Sequence, residues 1–510
     1  MGRRRRGDPK REARGRERLA SYEAFIDDWD AFQEAIRTPE PTTLRANTLR
    51  ISRDALAERL ESQGFAVSPV PHQPAFLKVD QEPEGRPVSD TLEHWLGLFY
   101  MQQTATGLAA PLLAPEPGER VLDLCSAPGG KTTHLAELLE GRGTVVASDV
   151  NETRIRALLG NVYRLGHTNI MTVAGDGRRF PTAATFDRVM VDVPCSAEGT
   201  LRKRGGTIPG HSRKWAKQVT KAQEKLLRRA VELTRPGGTL LYVTCTFGPD
   251  ENEAVLTRVL ADAPITVDPL ELPVPHARGL ESFGDETFDP ALAGAVRIYP
   301  HHLDSGGLFL CRLRREPDGE TRVRGWSPVP DDFPLDEDPG EAAVEAAATP
   351  VPQEVDRGKA FLAQEVGAGG KRLDSLSWIR RGTNLWAHTL GGWPAETWKE
   401  GGHWRVVNVG FRAFDLGGDG PPRPTNDLLG WLADDVPRRT DLSPERWVRL
   451  LEGRTLPDEG EDGLVALGFR GVALARGFRR EGILRHEVPK GRLRWLRTVM
   501  EGRNEVGGDG

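Results

Sequence analysis

Residues 101–316 of this 510-residue chain predict an α/β fold, in which a parallel β-sheet carries helices on both faces. Short runs rich in β-branched residues alternate there with amphipathic helical stretches, which is the pattern that parallel sheets require. Residue types that do chemistry stand where the runs end, and parallel sheets bind ligands at that carboxyl edge. The predicted strands are Arg120–Cys125, Thr144–Asp149, Met171–Asp176, Asp187–Val193, Thr239–Cys245 and Gly307–Leu313. The predicted helices between them include Thr132–Leu139, Thr153–Leu165 and Ala222–Leu233.

The composition is that of a folded globular protein. Hydrophobic residues make up 38% of the chain, and at about 150 residues per domain the length suggests roughly three domains. The apolar runs are too short for a membrane span, and none follows the first arginines, so we expect neither a transmembrane segment nor a secretory signal. The four cysteines include no C-x-x-C pair, which argues against a disulfide framework and a structural zinc site. We therefore expect a cytoplasmic protein that holds no metal.

Composition divides the remainder of the chain into four regions. Residues 1–18 form an arm with nine basic side chains, which suits phosphate contacts as well as simple solvation. Residues 20–100 mix helix and strand signals and predict a small α+β domain. Residues 317–356 predict an extended linker, because positions 328–356 hold nine acidic residues, no basic ones and several prolines. Residues 357–510 form a separate, β-rich region with eight of the twelve tryptophans.

The first predicted strand ends in a turn of small residues that leads directly into a helix, which lets a ligand lie against backbone amides. A phosphate-binding loop of the type G-x-x-x-x-G-K-[ST] is a near miss, because Cys125 replaces its first glycine and Pro128 lacks an amide donor. An ATP-binding protein is therefore the lesser alternative. The turn comprises Cys125, Ser126, Ala127, Pro128, Gly129, Gly130 and Lys131.

Acidic residues at the next two strand ends favour S-adenosylmethionine as the ligand of this turn. Asp149 ends the second strand, where a carboxylate accepts hydrogen bonds from both ribose hydroxyls. Asp176 ends the third strand and is placed to accept a hydrogen bond from the adenine amino group. A single strand-end aspartate is more often a helix cap. The glycine-rich turn and the two acids together predict the cofactor site.

Cys195 and Cys245 follow the fourth and fifth strands, so the topology brings both thiols to one sheet edge, whereas Cys311 lies within a strand and is expected in the core. Methylation of pyrimidine carbon 5 needs such a thiol, because a thiolate that adds to carbon 6 makes carbon 5 nucleophilic. Asp192, three residues before Cys195, is placed to hydrogen-bond the edge of the base. Spacing alone does not decide which cysteine attacks, since DNA cytosine methyltransferases use the cysteine of a Pro-Cys motif, which is Cys195 here.

The strings DLCSAPGGKT, GDG, DVPCSAEGT and YVTCTFGPDENE resemble the motifs of the Sun (nucleolar antigen) family of RNA 5-methylcytosine methyltransferases. The segment Arg45-Ala46-Asn47-Thr48-Leu49-Arg50 is similar to the one that precedes the family's catalytic domain. The resemblance covers about residues 40–315. Residues 456–484, followed by Pro489-Lys490-Gly491, more loosely resemble the PUA-like C-terminal domain of the bacterial small-subunit rRNA members.

The resemblance implies a Rossmann-like methyltransferase domain at 101–316, an RNA-binding N-terminal domain and a PUA-like RNA-binding C-terminal region. It implies that Cys245 is the nucleophile, that Cys195 assists product release and that Asp192 holds the cytosine. Lys131 would also lie near the target base. One departure is Ala197, which stands where many relatives have glycine. The residues implied to surround S-adenosylmethionine are Cys125, Ser126, Ala127, Pro128, Gly129, Gly130, Lys131, Asp149, Arg154, Asp176 and Asp192.

Cations and aromatic side chains near the predicted site suit an RNA substrate with an unpaired target base. They occur at 202–204 and 211–217, besides the basic arm. We expect 16S-type ribosomal RNA as the substrate, with transfer RNA as the alternative. An RNA-binding ribosome assembly factor without methyl transfer is the alternative outside the enzymes, and the retained thiols argue against it. Four C-terminal tryptophans are expected in the core of a small β-rich domain: Trp386, Trp393, Trp398 and Trp404.

Overall fold

A computed structural model describes residues 9–317, 322–329, 351–394, 404–417 and 420–502. Among the helices of these ranges, none combines the length and the apolar character that crossing a membrane requires. The first eight residues of the basic arm, Trp398 and most of the acidic part of the predicted linker lie outside the described residues.

The N-terminal part builds a four-stranded antiparallel sheet in the order β2-β3-β1-β4. The helix Arg53–Glu61 follows from local sequence, because the Ser52 side chain accepts a hydrogen bond from the Ala55 amide as an N-cap, and Leu56 and Leu60 are buried one turn apart. The elements are α1 (Pro9–Ser21), α2 (Trp29–Ala35), β1 (Thr43–Ala46), α3 (Arg53–Glu61), β2 (Ala66–Pro69), β3 (Phe76–Gln81), α4 (Leu92–Trp95), β4 (Phe99–Met101), α5 (Thr104–Gly107) and α6 (Ala109–Leu113).

The central domain contains the predicted parallel sheet. Strands β7, β6, β5, β8 and β9 lie side by side in parallel, and β15 and β14 extend the sheet in antiparallel orientation beyond β9. The elements are β5 (Arg120–Asp123), α7 (Gly130–Leu138), β6 (Thr144–Asp149), α8 (Glu152–Leu165), β7 (Ile170–Ala174), β8 (Phe186–Asp192), α9 (Arg213–Leu233), β9 (Thr234–Thr244), α10 (Glu253–Leu260), β10 (Ile265–Val267), β11 (Ala277–Arg278), β12 (Ser282–Phe283), β13 (Glu286–Thr287), β14 (Val296–Ile298), α11 (Pro300–Leu303) and β15 (Leu308–Arg315).

Two apolar cores sandwich this sheet, as expected when helices cover both faces. Leu226 and Leu227 of α9 pack in one core, and Leu135 of α7 and Leu158 of α8 pack in the other. Cys311 is buried in β15, as the sequence predicts. The sheet is therefore rigid where its carboxyl edge presents the polar residues.

The C-terminal region forms two further sheets, in the orders β16-β17-β19-β20 and β21-β23-β24-β25-β22. A PUA-like fold for it stays a prediction. The elements are α12 (Val351–Val366), α13 (Lys371–Asp374), β16 (Ser377–Arg381), β17 (Asn384–His388), β18 (Arg405–Val409), β19 (Phe411–Asp415), β20 (Arg423–Pro424), α14 (Asn426–Leu432), β21 (Thr440–Asp441), α15 (Pro444–Leu451), β22 (Leu456–Pro457), β23 (Gly463–Phe469), β24 (Val472–Arg480), β25 (Ile483–His486) and α16 (Lys490–Glu501).

The C-terminal region is less separate than its composition suggests, because β18 pairs antiparallel with β7 and becomes an edge strand of the central sheet. Val406 and Val409 are buried in that contact, which covers an edge that would otherwise expose unpaired backbone groups. Trp404, immediately before β18, packs on Phe180 with ring centroids 4.7 Å apart, and Trp393 joins the central core. Of the four tryptophans expected in a C-terminal core, these two therefore pack on the central domain instead.

The predicted linker is also partly structured. Trp326 packs edge-to-face on Phe186 at 5.4 Å, and Ser327 forms a backbone bridge with Trp393. At the other end, α12 begins at Val351, before the predicted boundary at 357. Aromatic side chains and a helical apolar stripe thus hold both ends of this segment against folded parts of the chain.

Candidate active site

The chain order of the strands places a crevice at the carboxyl end of β5. Strands β6 and β7 lie on one side of β5, and the chain then crosses to β8 and β9 on the other side. Loops at such a switch point diverge and leave room for a ligand. The loops that follow β5, β6, β8 and β9 carry nearly all residues that the sequence analysis singled out.

The turn after β5 is held as a tight cradle. The Ser126 amide and Oγ both donate to the Ser148 carbonyl, at 2.9 and 3.0 Å, which ties the turn to the end of β6. Gly129 has a φ of 104° and packs so closely that a Cβ there would lie 2.6 Å from Cδ1 of Leu158. Only glycine fits both conditions, and α7 starts at the next residue.

Asp149 organises the same turn from the end of β6. One carboxylate oxygen accepts from the Ala127 amide at 3.2 Å, and the other accepts from the Asn151 amide at 2.8 Å. Arg154 lies 3.4 Å from Asp149 and also donates to the Ala127 carbonyl. Asp149 and Arg154 thus lie against the turn after β5, and their contact with a cofactor stays a prediction.

Asp176 lies after β7, where the sequence analysis placed it, but its carboxylate has a partner. Arg178 donates to it through Nε and Nη2 at 2.6–3.1 Å, and these hydrogen bonds lower the pKa of Asp176. Trp404 covers the adjacent Gly175, where a Cβ would lie 2.6 Å from the ring. This corner of the crevice therefore includes a C-terminal residue.

Lys131 and Asp192 meet across the crevice. The Lys131 ammonium donates to Asp192 Oδ2 at 2.8 Å, and their side chains are 15% and 28% exposed. Burial opposes the charge on Lys131, but Asp192, and to a smaller degree Cys245, outweigh this effect and raise its pKa. The site therefore holds a fixed cation beside a carboxylate, next to the cysteines.

The two predicted active-site thiols are neighbours. Cys195 Sγ and Cys245 Sγ lie 3.4 Å apart. The contact with Cys195 and the nearby Lys131 ammonium lower the pKa of Cys245 against the opposing effects of burial and Asp192, whereas the same contact and burial raise the pKa of Cys195. These opposite shifts favour a thiolate on Cys245 and a thiol on Cys195. Cys125 is different, because burial and three nearby carboxylates raise its pKa.

Two buried glutamates that the sequence analysis did not single out tie the cysteine loops together. Glu198, with a side chain that is 0% exposed, accepts from Thr246 Oγ1 at 2.7 Å and from the Phe247 amide at 3.2 Å. Glu251 accepts from the Ser196 amide at 3.0 Å, and burial raises its pKa to about 7. Each glutamate therefore joins the loop after β8 to the loop after β9. Glu198 is signalled as the one carboxylate among the small residues of 195–200, whereas Glu251 lies in the acidic run 250–253 and has no distinguishing signal.

Arg18 of the predicted basic arm is the cation of this network. It donates to Glu198 at 2.6 Å and to Asp250 at 2.8 Å, and Tyr22, one turn later, donates to Glu198 at 2.8 Å. This part of the arm is thus packed on the active-site loops rather than solvated. The four-residue spacing of Arg18, on α1, and Tyr22, just after it, was the available signal, but nothing local identified the partners.

Arg45 links the segment before the catalytic domain to the turn after β5. Arg45, from the segment before the catalytic domain, is fully buried and pairs with Glu137 of α7 at 2.9 Å, while its Nη1 donates to the Gly130 carbonyl at 2.7 Å. It therefore connects the N-terminal domain to the cofactor turn.

Ala197, which stands where many relatives have glycine, has a φ of 55°. This left-handed conformation costs an alanine about 1 kcal/mol more than a glycine.

Comparisons with known proteins find relatives over the domain that holds this site. Residues 110–314 match a family model described as 16S rRNA methyltransferase RsmB/F, and residues 20–84 match the ferredoxin-like domain of RsmF/B-like methyltransferases. The ribosomal RNA small subunit methyltransferase F of Erwinia tasmaniensis is 33% identical over 307 residues, which are 58% of this chain and 62% of that protein. The human 28S rRNA (cytosine(4447)-C(5))-methyltransferase is 33% identical over 56% of this chain and 35% of its own length. The chain thus spans only part of the curated relatives that it matches.

The crystal structure of a methyltransferase homolog protein from Pyrococcus horikoshii superposes with a TM-score of 0.52 and 28% identity, over 61% of this chain and 100% of that one. The predicted fold class is confirmed: the central domain has the Rossmann-like fold of S-adenosylmethionine-dependent methyltransferases. The chain is therefore similar, over residues 20–84 and 110–314, to the ferredoxin-like and methyltransferase domains of the RsmB/F proteins, which belong to the Sun family that its motifs resemble.

Proposed function

We propose that this chain methylates carbon 5 of a cytosine in ribosomal RNA, with S-adenosylmethionine as the methyl donor. The observation that carries the proposal is the pair of thiols 3.4 Å apart beside the Lys131–Asp192 ion pair. Two cysteines with opposite pKa shifts suit a reaction that needs a thiolate first and a hydrogen-bond donor later.

Cys245 begins the reaction as the nucleophile. Its thiolate adds to carbon 6 of the cytosine, forms a carbon–sulfur bond and moves the electron pair of the C5–C6 double bond to carbon 5. Asp192 and Lys131 face the base edge, where they orient the ring and balance the charge that develops on it. S-adenosylmethionine, when bound, supplies the electrophilic methyl group that carbon 5 takes up.

Product release breaks the carbon–sulfur bond that the first step forms. A base removes the proton from carbon 5, the carbon–sulfur bond breaks, and the C5–C6 double bond forms again as the thiolate of Cys245 departs. The Cys195 thiol lies 3.4 Å from the departing sulfur and stabilises it by donating its S–H. Loss of Cys195 therefore slows release, and loss of Cys245 prevents attack.

The residues around the crevice suit the methyl donor. The cradle of 126–130 presents backbone and no bulky side chain, and carboxylates follow three strands in turn at Asp149, Asp176 and Asp192. Carboxylates are the acceptors that ribose hydroxyls and amino groups need. The remaining residues proposed to surround the donor are Cys125, Ser126, Ala127, Pro128, Gly129, Gly130, Lys131 and Arg154.

Small-subunit ribosomal RNA is the proposed substrate, because the bacterial relatives carry that substrate in their names. The test is transfer of tritiated methyl from S-adenosylmethionine to purified 16S ribosomal RNA, 30S particles or bulk transfer RNA, followed by bisulfite sequencing. Label in 16S rRNA or 30S particles at one unconverted cytosine is expected, and Cys245→Ala abolishes it. Label in transfer RNA alone would transfer the proposal to that substrate. Tight RNA binding without label would support an assembly factor instead.

A further inference from the structure

The solvent-facing side of α9 carries a row of lysines, which is unusual in a chain that uses arginine almost everywhere. Four of the twelve lysines of the chain lie on this helix, at positions 214, 217, 221 and 225. Their spacing of three, four and four residues puts them on one side of a helix with 3.6 residues per turn. All four side chains are exposed. They form a straight row of positive charge, called the α9 track below.

The charges of the α9 track are not neutralised. Among the residues that the structure describes, none of the four lysines has a carboxylate within ion-pair distance, although many exposed arginines do. On the same helix, Arg228 pairs with Glu224 and Asp262, and Arg229 pairs with Glu232. Unpaired lysines along one side of a helix repel one another, and a polyanion that covers them relieves this repulsion.

Both ends of the α9 track continue into further cations. Its first turn follows Gly210, whose carbonyl accepts from Arg14 of α1, so the exposed basic face of α1 adjoins it. At the far end, α9 and the turn after β7 enclose a groove of 430 Å³. That groove is lined by Asp176, Arg178, Arg179, Lys225, Arg228, Arg229 and Glu232. The positive surface thus extends from the N-terminal helix to the edge of the cofactor crevice.

Helix α9, which carries the track, also packs on the loop after β8, which holds Cys195. Gln223, on the inner side of the helix, donates to the Pro194 carbonyl at 3.0 Å and to Glu251 at 2.9 Å. Pro194 precedes Cys195, and Glu251 holds the Ser196 amide. The lysines therefore lie on the side of α9 opposite to the one that contacts the loop of Cys195.

We propose that the α9 track binds the phosphodiester backbone of the RNA strand that carries the target cytosine. The inference rests on the proposed function and adds where the substrate lies. An unpaired row of lysines suits a flexible polyanion, because each ammonium is a point charge that adapts to several phosphate positions. Lysines dominate this side of α9, with Gln218 exposed beside them, so the row mainly fixes position rather than sequence.

The test compares the full-length enzyme with the variant Lys217→Gln/Lys221→Gln/Lys225→Gln, which keeps side-chain length and helix propensity. Binding of a fluorescent 40-nucleotide fragment of the methylated RNA is measured by anisotropy over a salt series. Each lost phosphate contact on a single strand removes about 0.7 from the slope of log K against log salt. The variant is therefore expected to lose about 2 from the slope, which corresponds to about 100-fold weaker binding at 0.1 M salt.

The control is Arg142→Gln/Arg314→Gln/Arg324→Gln, which removes three exposed cations at the opposite edge of the sheet. We expect its affinity and salt slope to equal those of the wild type, and both variants to bind S-adenosylhomocysteine normally. Equal losses of RNA affinity in the two variants would contradict the proposed RNA contact along the α9 track, and so would an unchanged salt slope in the α9 variant. Either result would leave methyl transfer by the wild type intact. Absence of methyl transfer by the wild type would instead refute the proposed function.

Discussion

Replacing Arg45 with methionine removes the buried cation that joins the N-terminal domain to the cofactor turn. The Arg45 and Glu137 side chains are 0% and 2% exposed, and Glu137 accepts at 2.9 and 3.0 Å from two guanidinium nitrogens. Methionine fills much of the same volume, so the main loss is electrostatic. Removing one partner of such a pair leaves a buried, uncompensated charge and costs about 3–5 kcal/mol. We expect the free energy of unfolding to fall by about that amount.

The loss of stability in Arg45→Met depends on pH, and the burial of Glu137 decides whether it is larger at low or at high pH. Burial raises the pKa of Glu137, but in the wild type Arg45, together with His167 and His134, outweighs burial and lowers it. Without Arg45 the effect of burial dominates, so the folded-state pKa rises above the unfolded value. Below that raised pKa the carboxyl is neutral in the fold, and the variant recovers part of its stability. The destabilisation is therefore expected to be smaller at pH 5 than at pH 8.

Urea unfolding followed by tryptophan fluorescence measures both effects. The matched control is Arg45→Met/Glu137→Leu, in which no buried charge remains, and it is expected to be more stable than the single variant at pH 8. A single-variant cost below about 1 kcal/mol, or a double variant that recovers nothing, would refute the reasoning.

Three further predictions concern the site. Lys131→Met removes the cation beside Cys245, so alkylation of that thiol by iodoacetamide should need a pH about one unit higher. Arg18→Ala leaves Glu198 without its cation and should lower kcat about 10-fold and stability by about 2 kcal/mol, whereas Arg16→Ala, on the exposed side of α1, should change stability by less than about 0.5 kcal/mol. Trp404→Ala uncovers the turn around Gly175 and should weaken S-adenosylhomocysteine binding about 10-fold by calorimetry, with Trp404→Phe intermediate.

Each of these predictions has a contradicting result. An unchanged alkylation profile in Lys131→Met would mean that the ammonium does not stabilise the thiolate. Equal effects of Arg18→Ala and Arg16→Ala would mean that Arg18 contributes no more than an exposed surface charge. Normal binding of S-adenosylhomocysteine by Trp404→Ala would mean that Trp404 only packs against Phe180.

The sequence predicted the elements whose signals are local. The predicted second strand, Thr144–Asp149, has the observed bounds, because its apolar run is continuous and an acid ends it. Helix α9 begins at Arg213, well before the predicted Ala222, because its first turns have a polar exposed side and the Ser212 cap is the main signal there. Strand β18 could not be predicted from local pattern, since its partner β7 lies more than 200 residues earlier in the chain.

The candidate site divides in the same way. Strand-end residues such as Asp149, Asp192 and the two cysteines follow from topology, because parallel strands bring their carboxyl ends together. The roles of Arg18 and Arg45 depend on which buried carboxylates the folded chain brings to them. The local sequence around either arginine does not identify that partner. Sequence reasoning therefore brought the proposed reacting groups to one edge of the sheet but did not identify the contacts that hold them.

Trapping of the covalent RNA adduct tests the central claim most directly. Wild type, Cys195→Ala and Cys245→Ala are each incubated with labelled RNA and S-adenosylmethionine and separated on a denaturing gel. If Cys245 attacks and Cys195 assists release, Cys195→Ala gives a nuclease-sensitive shifted band and Cys245→Ala gives none. A shifted band with Cys245→Ala alone would contradict the account, because it would make Cys195 the nucleophile.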